Sequence, residues 1–182
     1  WTEMNTSGNL HILNNGSWIV PVYGSDEPNG PTYPGIAQSK DAGLSWTIIS
    51  CIKTTDKVEL HECSMAKTKD DRFLGVIRNQ TPPYVSYFSF SNNDCINWSE
   101  ARPMPFSGQT PALINLKSGI LLCAYRNMDE NNKGVGCSLS FDGGHKWTET
   151  KMIYKSNEFN CGYPSLMEME NGNIICIYYI IL

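Results

Sequence analysis

Ser140-Phe141-Asp142-Gly143-Gly144-His145-Lys146-Trp147 carries a pattern, SxDxGxxW, that returns along the chain and dictates how the rest is read. A second full copy is Ser39-Lys40-Asp41-Ala42-Gly43-Leu44-Ser45-Trp46. An eroded third is Ser91-Asn92-Asn93-Asp94-Cys95-Ile96-Asn97-Trp98, with Asn93 in the aspartate's place and Cys95 in the glycine's. The opening Trp1-Thr2-Glu3 matches Trp147-Thr148-Glu149, as if it were the tail of a fourth copy. The pattern has a mechanical meaning. A short aspartate accepts hydrogen bonds from backbone N–H groups of its own turn, and glycine two positions on supplies the positive φ of a tight hairpin. The tryptophan is expected on the following strand, its ring buried against the neighbouring unit.

The tryptophans at 1, 46, 98 and 147 are spaced by 45, 52 and 49 residues. A period of about 40 to 50 residues holding several short strands is the sequence signature of propeller blades. Composition agrees. The chain has 182 residues, a net charge of −4 and 11% aromatic residues, with 15 Gly and 10 Pro to serve many tight turns. A mildly acidic chain without a Lys/Arg cluster is a poor partner for nucleic acid or an anionic membrane surface. No apolar run approaches the roughly 20 residues of a membrane-spanning helix.

Seven cysteines, at 51, 63, 95, 123, 137, 161 and 176, form no CxxC spacing. Several stand in apolar strand contexts, which favours small buried hydrophobes over a disulfide framework. His11, His61 and His145 are scattered without metal-ligand spacing, and Asp129-Glu130-Asn131-Asn132 reads as a polar hairpin loop rather than a calcium site. Neither a metal nor a cofactor is implied.

Each repeat opens with an extended segment and returns as an apolar strand, at residues 16–23, 71–78, 119–126 and 172–179. Tyr23, Arg78, Arg126 and Tyr179 thereby occupy one equivalent position. Sixteen residues before each stand Ser7, Glu62, Thr110 and Tyr163, again equivalent and near the start of the opening strand. In a propeller the first strand of each blade lines the central channel. Glu62 and Tyr163 are therefore expected to face each other across that funnel, with the arginines at its rim. By residue type alone, an arginine ending a strand is a solvated residue or part of a structural ion pair.

The repeated turn is the Asp box, and with it the chain resembles the sialidases and their relatives, over essentially its whole length. The landmarks Glu62 to Arg78, Tyr125 to Trp147 and Cys161-Gly162-Tyr163-Pro164-Ser165-Leu166 come in the family's order. The resemblance implies an all-β fold, about four blades of a six-bladed β-propeller with Asp-box hairpins. It implies a single incomplete domain over residues 1–182, truncated at both ends. It also implies an exo-glycosidase acting on sialylated or other acidic glycans. Tyr163 matches the nucleophile, Glu62 its carboxylate partner, Arg78 one arginine of the triad that clamps the substrate carboxylate, and Arg126 a second.

That choice of residues has a chemical reason. A sialic acid carries a carboxylate on its anomeric carbon, so an Asp or Glu nucleophile would meet like charge, whereas a tyrosine arrives neutral. Its ordinary pKa near 10 requires a neighbouring carboxylate to draw off the proton. Sialidases depart from the two-carboxylate glycosidase scheme in this way. Arginines supply planar paired donors, each charge-assisted bond contributing about 1.5–3 kcal/mol. The family's first arginine and its acid/base aspartate have no match here. Asp26 is a weak stand-in, more in keeping with a solvated turn, and the stretch by itself is expected to be inactive. Asp boxes also occur in propellers that bind glycans or proteins without catalysis, and that reading stands beside the enzyme.

Overall fold

The computed structural model describes Trp1 and residues 3–181, and among these residues the fold is all strand and turn. Thr2, the middle of the tail copy, and Leu182 lie outside the described residues. The first sheet contains β1 (Glu3–Thr6), β2 (His11–Ile12), β3 (Trp18–Ser25), β4 (Tyr33–Ser39) and β5 (Thr47–Cys51). β1 and β2 share one edge of β3, and the order continues through β4 to β5. The second sheet runs in chain order through β6 (Leu60–Lys67), β7 (Phe73–Asn79), β8 (Val85–Ser91), β9 (Arg102–Asn115), β10 (Leu121–Asn127), β11 (Gly134–Ser140) and β12 (Lys151–Lys155). A hairpin of β13 (Cys161–Glu168) and β14 (Ile174–Ile180) follows. All these pairings are antiparallel.

The 14-residue β9 belongs to two meanders at once. Its first part pairs with β8, from Arg102 opposite Phe88 to Ser107 opposite Val85. Its second part pairs with β10, from Gly108 opposite Asn127 to Asn115 opposite Leu121. With β1 and β2 counted as one broken edge strand, three four-stranded meanders and one hairpin thus follow one another, with a single continuous strand in place of a loop between the second and third.

The repeated turns are built alike. In the last copy the Ser140 hydroxyl bonds to Asp142 Oδ1 at 2.9 Å and accepts the Gly144 N–H at 2.8 Å, while the same Asp142 oxygen accepts the Lys146 N–H at 2.8 Å. Ser39, Asp41, Gly43 and Ser45 repeat the scheme. These donors hold Asp142 below the usual carboxylate range, the Lys146 N–H foremost, and hold Asp41 down to about 2, the Ser45 hydroxyl foremost. Gly43 and Gly144 take φ values of 92° and 97°. In the eroded copy Cys95 adopts the same left-handed backbone, φ 65°, and Asn93 accepts the Asn97 N–H at 3.0 Å in the aspartate's place.

The tryptophans depart from expectation. They lie in coil just beyond the turns rather than on strands; Trp46 is 37% exposed, and Trp98 and Trp147 are half-buried. Their indole N–H groups need acceptors. Trp46 Nε1 donates to the Gly43 carbonyl and Trp147 Nε1 to the Gly144 carbonyl, both at 3.1 Å, which folds each ring back over its own turn. In the eroded copy Ser50 Oγ donates to the Cys95 carbonyl, and Trp98 Nε1 turns to Ser50 Oγ at 3.3 Å.

Between the first two meanders Leu13, Ile19, Ile36 and Ile52 meet Met65, Phe73 and Ile77. Leu74 and Val76 face the other way, against Met104, Phe106, Leu113, Leu121 and Tyr125. β7 is therefore apolar on both faces, as a strand sandwiched between sheets must be. Each such fully buried side chain contributes about 1.5–3 kcal/mol. β14 is as apolar in sequence, yet Ile177 is 68% exposed, with Ile174, Tyr179 and Ile180 also open.

Candidate active site

The opening strands β6, β9 and β13 lie side by side, and each carries one residue more than the strand it pairs with. Leu60 faces Asn79 but Cys63 faces Ile77; Gln109 faces Arg126 but Ala112 faces Ala124; Gly162 faces Tyr179 but Ser165 faces Ile177. The extra residue makes a β-bulge, which re-aims a side chain out of the strand's alternation. The three bulges hold Glu62, Thr110 and Tyr163. Pro111 and Pro164 suit such places, since a bulge leaves an N–H without its ladder partner and proline has none. Cys63, which follows Glu62, does have one, and gives it to Ser7 Oγ at 3.1 Å.

The structure brings Glu62, Arg78 and Tyr163 together. Tyr163 Oη donates to Glu62 Oε1 at 3.0 Å. Arg78 Nη1 donates to the same carboxylate oxygen at 2.7 Å and to Tyr163 Oη at 3.3 Å. Its Nη2 donates to Gln80 Oε1 at 3.1 Å. Glu62 is only 9% exposed, and its Oε2 and Arg78 Nε are buried without a protein partner among the described residues. Tyr163 is 55% exposed at the mouth. Partial burial raises its phenol pKa, the Glu62 charge and hydrogen bond raise it further, and Arg78 opposes them. At neutral pH the phenol keeps its proton and points it at Glu62.

Arg126 sits on the other side of Tyr163, its guanidinium carbon 6.0 Å from the ring centroid. Its Nε donates to the Cys161 carbonyl, Nη2 to Tyr179 Oη at 2.9 Å and Nη1 to Gln109 Oε1 at 3.5 Å. Arg126 is thus held by protein groups, Cys161, Tyr179 and Gln109 among the described residues, whereas the Glu62 carboxylate is held by Arg78. Asp26 is not part of the cleft's lining; the Tyr33 hydroxyl bonded to it holds its carboxyl below the usual range. Lys133 is paired with Glu130 at 3.0 Å, and the acidic loop is the β10–β11 connection. No cluster of potential metal ligands occurs among the described residues.

A cleft of about 340 Å³ runs inward from this constellation between the opening strands, lined by Ser7, Tyr23, Glu62, Ser64, Thr110 and Tyr163 among others. Glu62 is the one carboxylate in that lining among the described residues. Sequence reasoning had not assigned a role to Tyr23, Gln80, Thr110 or Tyr179. Three of them were within reach of the sixteen-residue equivalence; Gln80 had no signal.

Residues 4–176 match the model of the BNR repeat-like domain. The chain belongs to the BNR repeat-like domain family. Among solved structures, this BNR repeat-like chain is similar to a protein of unknown function from Dyadobacter fermentans, with a TM-score of 0.86 and 16% identity, over 98% of this chain and 50% of that one. It is similar to the alpha-L-arabinanase of Penicillium chrysogenum complexed with arabinobiose, with a TM-score of 0.75 and 18% identity, over 95% of this chain and 56% of that one. It is also similar to the sialidase of Trypanosoma rangeli, with a TM-score of 0.70 and 14% identity, over 94% of this chain and 28% of that one. At these identities the likeness is one of fold, and the chain spans about half or less of each neighbour's length. No curated protein matches it.

Proposed function

We propose that the chain is part of a sialidase-like exo-glycosidase that removes terminal sialic acid, or a related acidic sugar, from glycoconjugates. One observation carries the reading: Tyr163 Oη rests 3.0 Å from Glu62 Oε1 in a cleft whose described lining holds no second carboxylate. A tyrosine nucleophile with a carboxylate base has both its parts there. Tyr163 Oη attacks the anomeric carbon as its proton passes to Glu62. The glycosidic oxygen leaves with the bonding pair; water then attacks the anomeric carbon of the sugar–tyrosine ketal, Glu62 returns its proton to the departing Tyr163 oxygen, and the proton that water sheds neutralises the released alkoxide. Arg78, with Arg126 as the second cation, holds the substrate carboxylate.

In this reading the three meanders and the hairpin are successive blades, about four of a six-bladed propeller, and residues 1–182 form one incomplete domain. The exposed apolar face of β14 supports it, because a following blade covers that face in a closed ring. The alternative, glycan binding without turnover, draws support from the same single carboxylate, since no described residue of the cleft offers a separate acid.

The test, made on the full-length protein, is hydrolysis of a fluorogenic aryl sialoside, whose leaving group departs without protonation. Tyr163→Phe is expected to remove most turnover while leaving affinity for a carboxylate-bearing sugar analogue nearly intact. Hydrolysis unchanged by the replacement overturns the nucleophile assignment; analogue binding with no turnover in the parent protein supports the binding module.

A further inference from the structure

Tyr163 is more than half exposed, so packing alone does not fix its ring on Glu62. Its backbone is itself unusual, with φ 46°, a left-handed conformation that few non-glycine residues adopt. Thr110, at the equivalent bulge of β9, has φ 51°, and for a β-branched residue this is a costlier outlier still. The two strained residues are joined. Thr110 Oγ1 accepts the Tyr163 N–H at 3.1 Å, and Thr110 is only 5% exposed. Just before Tyr163, Gly162 has φ 137°, and a Cβ there would stand 2.9 Å from Arg126 Nε. Arg126 in turn holds the Cys161 carbonyl. The β9–β10 pair thus grips residues 161–163 from both ends.

We infer that Thr110 is a positioning residue for Tyr163: its left-handed backbone persists because it aims Oγ1 at the Tyr163 N–H, and that bond sets the bulge that places the phenol on Glu62. The geometric half concerns Tyr163's placement alone; the catalytic consequence rests on the proposed nucleophile.

Glycine at position 110 separates positioning from mere structure, because it bears no strain at positive φ yet carries no hydroxyl. In the full chain, Thr110→Gly is expected to melt no lower than the parent. Its Tyr163 amide exchanges about tenfold faster or more, and the Tyr163 phenol, isolated by subtracting the ultraviolet titration of Tyr163→Phe, moves back toward about 10. Thr110→Ser keeps the hydroxyl and retains the parent's exchange and titration. With the aryl sialoside, Thr110→Gly lowers kcat on the order of tenfold to a hundredfold with KM little changed. Parent-like exchange and titration in Thr110→Gly overturn the inference, whatever the turnover. If both shift as expected while Tyr163→Phe still hydrolyses at the parent rate, positioning stands and the nucleophile reading is the one that fails.

Discussion

Arg78 and Glu62 form a buried ion pair, Nη1 to Oε1 at 2.7 Å, with side chains 14% and 11% exposed. The arginine proposed to hold a substrate carboxylate is thus already holding one, and the carboxylate proposed to take the tyrosine's proton is already shared with a cation. Substrate and Glu62 compete for the same donors.

Removing the competitor is expected to tighten binding. Glu62→Gln keeps the side-chain shape but takes away the charge, so a carboxylate-bearing sugar analogue is predicted to bind severalfold more tightly while turnover falls. Isothermal titration reads the first and the aryl sialoside the second. Equal or weaker analogue affinity argues against Arg78 as the clamp.

Breaking the pair from the other side strands a charge. Arg78→Ala leaves Glu62 buried without its cation, a loss of about 3–5 kcal/mol where such pairs are well buried. Adding Glu62→Gln to Arg78→Ala is expected to restore much of that stability. Denaturant melts of the two single variants and the double variant check this; strict additivity refutes the coupling.

The eroded turn offers a gain. Asn93 already accepts the Asn97 N–H, and Asn93→Asp turns that contact into a charge-assisted bond of the kind seen at Asp142. A stabilisation of about 1 kcal/mol at neutral pH is predicted. A depressed carboxyl stabilises above its unfolded pKa of about 3.9 and ceases to do so as pH falls through its folded value. The advantage therefore disappears in strong acid, as thermal melts at neutral pH and near pH 2 would register.

At alkaline pH the sign reverses. Burial pushes the Tyr125 phenol up to about 12, against the opposing bonds to Ser138 and Thr150, and Tyr87 likewise rises to about 12. The folded state keeps protons that the unfolded chain releases near 10, so this stabilisation is complete below about pH 10 and lost as pH rises through about 12. Melting temperature is predicted to fall across that window. Tyr87→Phe should flatten the fall, and an unchanged slope would contradict it.

The Asp-box turns and the sixteen-residue equivalence of Glu62, Thr110 and Tyr163 were legible because each rests on short-range spacing. The bulges were not, since a one-residue surplus exists only relative to a partner strand. Trp46 misled because its size spoke for burial while its N–H needed an acceptor in its own turn. The continuous β9 left no trace either: it runs through Pro103 and Pro105, residues that cannot donate to a ladder. The resemblance offered Arg126 only as a second arginine of the clamp; its bonds to Cys161 and Tyr179 are tertiary facts.

That unbroken β9 has a consequence for cooperativity. A loop between two repeats lets one open while its neighbour stays folded, but a strand with a separate hydrogen-bonded neighbour on each half transmits fraying across the boundary. β6 and β13, which carry Glu62 and Tyr163, both pack beside β9. The carboxylate and the phenol thus flank one continuous strand, and fraying that begins in either half of β9 reaches the support of both.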